Sequence, residues 1–88
     1  MMSPESVNLR VDMELDVRGL HCPMPLLKTR QSLRPMVPGQ VLLVRATDAG
    51  SWRDIPAYVG QSGHKLVHRQ QLDNEYRFWI EAGEQLHA

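Results

Sequence analysis

Cys22 is the only cysteine in a chain of 88 residues, and Pro23-Met24-Pro25 follow it at once. Proline is tolerated in the first turn of a helix, where amide hydrogens have no intrahelical acceptor. The spacing therefore predicts a helix that opens here, with Cys22 as its N-cap and Pro23 as its first residue. A thiol so placed faces the positive end of the helix dipole and the unused amides of Met24 and Leu26. Both favour the thiolate, the form that acts as a nucleophile. His21 precedes the cysteine, and Arg18 and Lys28 flank it. Many free cysteines are instead small buried apolar residues. The rigid Pro-x-Pro turn and the flanking cations favour a reactive thiol over that structural reading.

With one cysteine there is no internal disulfide and no Cys-x-x-Cys pair. A group transferred to Cys22 can leave only to another molecule, because no second thiol resolves it. His21 is placed to hold a thiolate or act as a base, although a turn histidine is commonly just solvated. Arg18, Lys28 and Arg53 are candidates for steering an acidic partner, and Met24 for an adaptable contact. The competing reading for each is an ordinary surface residue. Metal binding by Cys22 with His21, His64, His68 or His87 fits no recognised zinc spacing. Hydrolysis is disfavoured because neither a Cys-His-Asp order nor an oxyanion glycine motif occurs.

Ten Lys and Arg balance ten Asp and Glu. Zero net charge argues against nucleic acid as the main partner, since such binding rests on excess cations. The length suits one small domain. With no signal peptide and no long apolar run, the chain is expected to be cytoplasmic, with reduced thiols and no membrane association. Residues 1–10 read as a flexible tail, 11–82 as the domain, and 83–88 as a frayed end.

Several elements must position the cysteine. From Val11 to Arg18 apolar and charged residues alternate, which predicts a strand with one wet face. Gly19-Leu20-His21 is a turn that delivers the chain to Cys22. In the helix that follows, Leu26, Leu27 and Leu33 mark the buried side, and Lys28, Arg30, Gln31 and Arg34 the solvated side. Pro35 and Pro38-Gly39 end it. Val41 to Ala46 reads as a more buried strand, so the first two strands form a crossover unit around the helix.

Ser51 with Asp54 has the form of a capping box for a second short helix, against which Pro56 counts. Leu66 to Leu72 and Tyr76 to Ile80 read as a hairpin around Asp73-Asn74. Tyr76, Phe78 and Ile80 share one face, Arg77, Trp79 and Glu81 the other. That predicts an α+β two-layer sandwich in the order β-α-β-α-β-β, with both helices on one face of the sheet and Trp79 on the open side.

The stretch Asp16-Val17-Arg18-Gly19-Leu20-His21-Cys22-Pro23-Met24-Pro25-Leu26-Leu27-Lys28 resembles the signature of the TusA sulfur carriers, also called the SirA-like family. The resemblance continues through Ala46-Thr47-Asp48, Arg53-Asp54-Ile55-Pro56-Ala57, Gly63-His64 and Tyr76-Arg77-Phe78, roughly from Met13 to Ile80. It implies a four-stranded mixed sheet on two helices and no cofactor. It also implies a persulfide on Cys22, received from a pyridoxal-phosphate cysteine desulfurase or a rhodanese-type donor and passed to an acceptor protein. Acceptors in the family serve tRNA thiolation, molybdenum cofactor supply or sulfur oxidation. The alternative is a non-catalytic regulatory or interaction module that uses the Pro-x-Pro turn as a docking shape. Either protein would be a monomer or a weak dimer through its open face or bare edges.

Overall fold

The computed structural model describes residues 10–84. Of the expected tail over 1–10 and frayed end over 83–88, residues 1–9 and 85–88, His87 among them, lie outside the described residues. The elements are β1 (Met13–Val17), α1 (Met24–Leu33), β2 (Val41–Ala46), α2 (Ser51–Gln61), β3 (Lys65–Leu72) and β4 (Glu75–Glu81). They build one mixed sheet in the order β1-β2-β4-β3, with β1 parallel to β2 and the other pairs antiparallel. The β-α-β-α-β-β order read from the sequence is the order observed.

Registry decides which side chains share a face. Leu15, Val44 and Phe78 are cross-strand neighbours, as are Leu42, Ile80 and Leu66, and as are Val17, Ala46 and Tyr76. These rows meet Leu33 of α1 and Ile55 and Val59 of α2 in a single buried cluster, so both helices cover the same face. Leu33, Leu42, Ile55, Phe78 and Ile80 are fully buried, and each such side chain contributes about 1.5–3 kcal/mol of hydrophobic stabilisation, as an upper estimate. β2 is buried on most of its length whereas β1 is mostly exposed, as the contrast between continuous and alternating apolar runs predicts.

The buried stripe of α1 differs from expectation. It consists of Pro25, Thr29 and Leu33, at the i, i+4, i+8 spacing of one helix face. Leu27 is two residues on from Pro25, about 200° around the helix, and is 39% exposed. The buried Thr29 hydroxyl is satisfied by donating to the Pro25 carbonyl at 2.8 Å. Leu33 is in the core and Leu26 is half-buried against it, as expected; Leu27 alone departs, and a threonine and a proline complete the buried stripe.

Two further corrections concern α2 and the open face. Ser51 is not a cap: the N-cap is Gly50, with no side-chain cap bond, and Ser51 is a buried helical residue. Asp48 anchors this helix start instead, its Oδ2 accepting from the Gly50 amide at 3.1 Å and its carbonyl from the Ser51 amide at 3.0 Å. α2 runs through Pro56 without ending. Trp79 is on the open side of the sheet but only 9% exposed. Its cross-strand neighbours are Leu43 and His68, the latter's ring centroid 5.1 Å away. Gly83, expected to fray, donates its amide to His64 Nδ1 at 3.1 Å. Burial lowers the pKa of His64.

The rest of the open face carries ion pairs. Glu75 accepts from Arg45 at 2.6 Å and from Arg77 at 2.8 Å, and Arg45 also reaches Glu14 at 3.3 Å. The Arg45 guanidinium first, and then Arg77, pull the Glu75 pKa down from 4.5 to about 2.

Candidate functional site

Because β1 and β2 are parallel, the loops that follow them lie at the same end of the sheet, and α1 and α2 both begin there. Gly19, at φ 83, makes the turn after β1 that a side chain would resist. Its amide donates to Thr47 Oγ1 at 2.9 Å, which ties the first loop to the second. The β3–β4 turn is at this end too, since Tyr76 pairs with Ala46.

Cys22 is exposed in the first of these loops. The helix starts one residue later than expected: Pro23 is the N-cap and Met24 the first helical residue. Cys22 therefore precedes the cap. The reason is a tight turn in which the Met24 amide donates to the His21 carbonyl at 2.9 Å across Cys22 and a cis Pro23, the turn class that carries a cis proline in its third position. Met24 thus has no amide left to offer the sulfur. Pro25 has none, and the Leu27 amide goes to the Pro23 carbonyl at 3.1 Å. Leu26 is left with the one backbone donor of this first turn that no described residue accepts.

Cys22 lines a cleft of about 30 Å³ together with Pro23, Pro25, Leu26, Asp48, Ser51 and Asp54. A space of this size admits a guest of one or two water-sized atoms. One wall, from α1, is apolar. The other, from the β2–α2 loop and the first turn of α2, brings two carboxylates, Asp48 with 20% and Asp54 with 31% of its side chain exposed. Helix N-termini favour negative charge, so two of them at this end offset the two carboxylates. Reading the sequence for chemistry missed Asp48, Ser51 and Asp54. Their signal is the family resemblance through Ala46-Thr47-Asp48 and Arg53-Asp54-Ile55, stretches that nothing in the sequence alone ties to the cysteine.

The remaining candidates divide. His21 is 88% exposed, and its Nδ1 lies 3.7 Å from Asp48 Oδ1, too long for a hydrogen bond and an ion pair only when the imidazole is protonated. Arg53 extends into solvent with Nε 3.4 Å from Asp54 Oδ1. Met24 is exposed beside Cys22 and shares a helix face with exposed Leu27. Arg18 and Lys28 are not in the cleft. Arg18 is held by Asp16, with both guanidinium hydrogen bonds at 2.9 Å and a backbone one at 3.0 Å, which keeps that carboxyl well below the usual carboxylate range. It borders a second, open groove with Thr47, Asp73, Glu75 and Arg77. Lys28 has no ion-pair partner among the described residues.

The histidines do not converge on Cys22. His64 immediately precedes β3, whose start pairs with the end of β4 and so marks the opposite end of the sheet, and His68 packs on Trp79 across the open face. Among the described residues no group of three or more His, Cys, Asp or Glu is arranged to hold a metal ion. None of the described helices is long and apolar enough to cross a membrane.

The family model described as "Sulfurtransferase TusA" matches residues 13–82. Sulfur carrier protein TusA of Allochromatium vinosum is 42% identical over 69 residues, covering 78% of this chain and 91% of that protein. Sulfur carrier protein TusA of Pseudomonas syringae pv. syringae is 42% identical over 79 residues, covering 90% of this chain and 94% of that protein. In fold, the chain is similar to the crystal structure of a SirA-like protein from Desulfitobacterium hafniense, with a TM-score of 0.70 at 22% identity, covering 82% of this chain and 99% of that one. With the family model matched over residues 13–82 and relatives 42% identical over most of its length, the chain belongs to the TusA family.

Proposed function

We propose that this protein is a cytoplasmic sulfur carrier, a sulfurtransferase in the sense that it takes up sulfane sulfur as a persulfide on Cys22 and hands it to a partner's cysteine. In the loading step the Cys22 thiolate attacks the outer sulfur of a donor persulfide. A sulfur–sulfur bond forms at Cys22 as the donor's own sulfur–sulfur bond breaks, and the donor leaves as a thiolate. Unloading is the same exchange in reverse, with the acceptor's thiolate as nucleophile, so the protein undergoes no net oxidation.

The observation that carries this reading is an exposed, solitary thiol on a cleft of about 30 Å³. The size suits one added sulfur atom and is far below the roughly 300–1,000 Å³ of sites that enclose a small-molecule substrate. Exposure lets a partner's cysteine approach directly. The names of the relatives add support, as does the absence of a second cysteine that would discharge the persulfide. The donor is a cysteine desulfurase or a rhodanese-type protein. The acceptor is a protein thiol in a relay that ends in tRNA thiolation, molybdenum cofactor supply or sulfur oxidation. Exposed Met24 and Leu27, beside the sulfur, form the apolar part of the contact with either one.

Intact-protein mass spectrometry after incubation with a cysteine desulfurase and cysteine tests the proposal. A gain of one sulfur atom is expected, reversed by reductant and absent from Cys22→Ser. If neither the desulfurase, nor a rhodanese, nor a low-molecular-weight persulfide modifies Cys22, the reading fails and a non-catalytic docking module takes its place.

A further inference from the structure

Arg69 occupies a position that invites explanation. Its cross-strand neighbour on β4 is Phe78, which puts this exposed cation on the helix-covered face of the sheet at its β3 edge, in line with Leu66 and Gln71 of the same strand. It makes no ion pair among the described residues. Its guanidinium instead lies 3.9 Å over the Trp52 ring and donates from Nη1 to the Trp52 carbonyl at 3.0 Å. That carbonyl has a particular need. Its helical donor would be the amide four residues on, and residue 56 is proline, which has none.

Trp52 belongs to the first turn of α2, between Ser51 and Asp54, and those two residues form a wall of the Cys22 cleft. The Trp52 ring is also packed at 5.7 Å from Tyr76 and 5.9 Å from Phe78. We infer that Arg69 is a positioning residue for the cysteine site: it fills the acceptor that Pro56 leaves open, stacks on Trp52, and thereby fixes the cleft wall carried by Ser51 and Asp54. The role is one for Arg rather than Lys, because the planar guanidinium can stack and donate at once. It rests on Cys22 being the working residue, and its test involves no persulfide and no sulfur transfer, so the two readings fail separately.

Without the guanidinium, the first turn of α2 opens more often, by about tenfold for the loss of one charge-assisted hydrogen bond and its stacking. Hydrogen exchange at the Arg53 and Asp54 amides, both bonded to the Gly50 carbonyl, should accelerate correspondingly in Arg69→Met. Alkylation of Cys22 by iodoacetamide should also accelerate, since retreat of the wall widens the approach to sulfur and removes a carboxylate from its side. Ile80→Val, which loosens the core far from the cleft, should leave the alkylation rate at the parental value. The decisive variant is Pro56→Ala in the Arg69→Met background. It restores an amide to the Trp52 carbonyl and should return both exchange and alkylation toward parental values. Unchanged alkylation in Arg69→Met, or no rescue by Pro56→Ala, would overturn the inference.

Discussion

Replacing Pro25 by alanine separates the core role of this proline from its role beside the sulfur. Pro25 is fully buried, shares a stripe with Thr29 and Leu33, and also lines the Cys22 cleft. The substitution removes two ring methylenes from the interior, each worth about 0.8 kcal/mol. It also returns backbone freedom to the unfolded chain, a further cost of about 0.4–1 kcal/mol. The new amide at position 25 is in the first helical turn, where no intrahelical acceptor exists, so it offsets none of this. Because the site borders the cleft, water enters the vacated space and no sealed-cavity penalty is added. The total is about 2 kcal/mol, equivalent to a fall in Tm of about 10 °C for a domain of this size. Leu27→Ala, on the exposed side of the same helix, should cost less than about 1 kcal/mol. The ranking reverses the one that residue type alone suggests. Urea unfolding of both variants checks it, and a Leu27→Ala cost equal to or above that of Pro25→Ala would refute the assignment of the buried stripe. Pro25→Ala therefore reduces stability whatever it does to transfer.

Two other outcomes follow from the loops and the open face. Gly19→Ala should cost about 1–2 kcal/mol through its left-handed backbone alone, because a Cβ there meets no atom within 4 Å; Gly19→Asn should recover part of that loss in urea titrations. The depressed Glu75 pKa contributes stability that is fully present above its ordinary value of 4.5 and is lost as the pH falls toward about 2. The stability difference between the parent and Glu75→Gln should therefore shrink across that window, and a difference independent of pH would show that the ion pairs of Arg45 and Arg77 contribute nothing through titration.

The frame of this protein was legible because its strands obey simple periods. Met13 to Val17 alternates, Val41 to Ala46 does not, and Asp73-Asn74 punctuates the hairpin; these patterns depend only on which neighbours lie two residues away. What stayed hidden depends on the other chain segments. Pro25 and Thr29 are core residues because of where α1 lands on the sheet, and Ser51 loses its capping role because Asp48 already anchors the helix. Trp79 is covered by Leu43 and His68, neighbours that only registry reveals. The site divides in the same way. Cys22 was marked by its own prolines, whereas Asp48 and Asp54 reach it only because β1 and β2 pair in parallel, with Val17 beside Ala46.

The same parallel pairing gives the molecule a working pole and a mounting pole. The chain enters the sheet at Asp12, whose backbone and carboxylate both bond Val41 at the start of β2, and it leaves at Ala82, bonded to Gly39 and Gln40 just before that strand. Entry and exit are therefore close together and on the side away from the sulfur. A tether, label or fused domain joined directly at Asp12 or Ala82 would start from the mounting pole, at the end of the sheet away from the thiol.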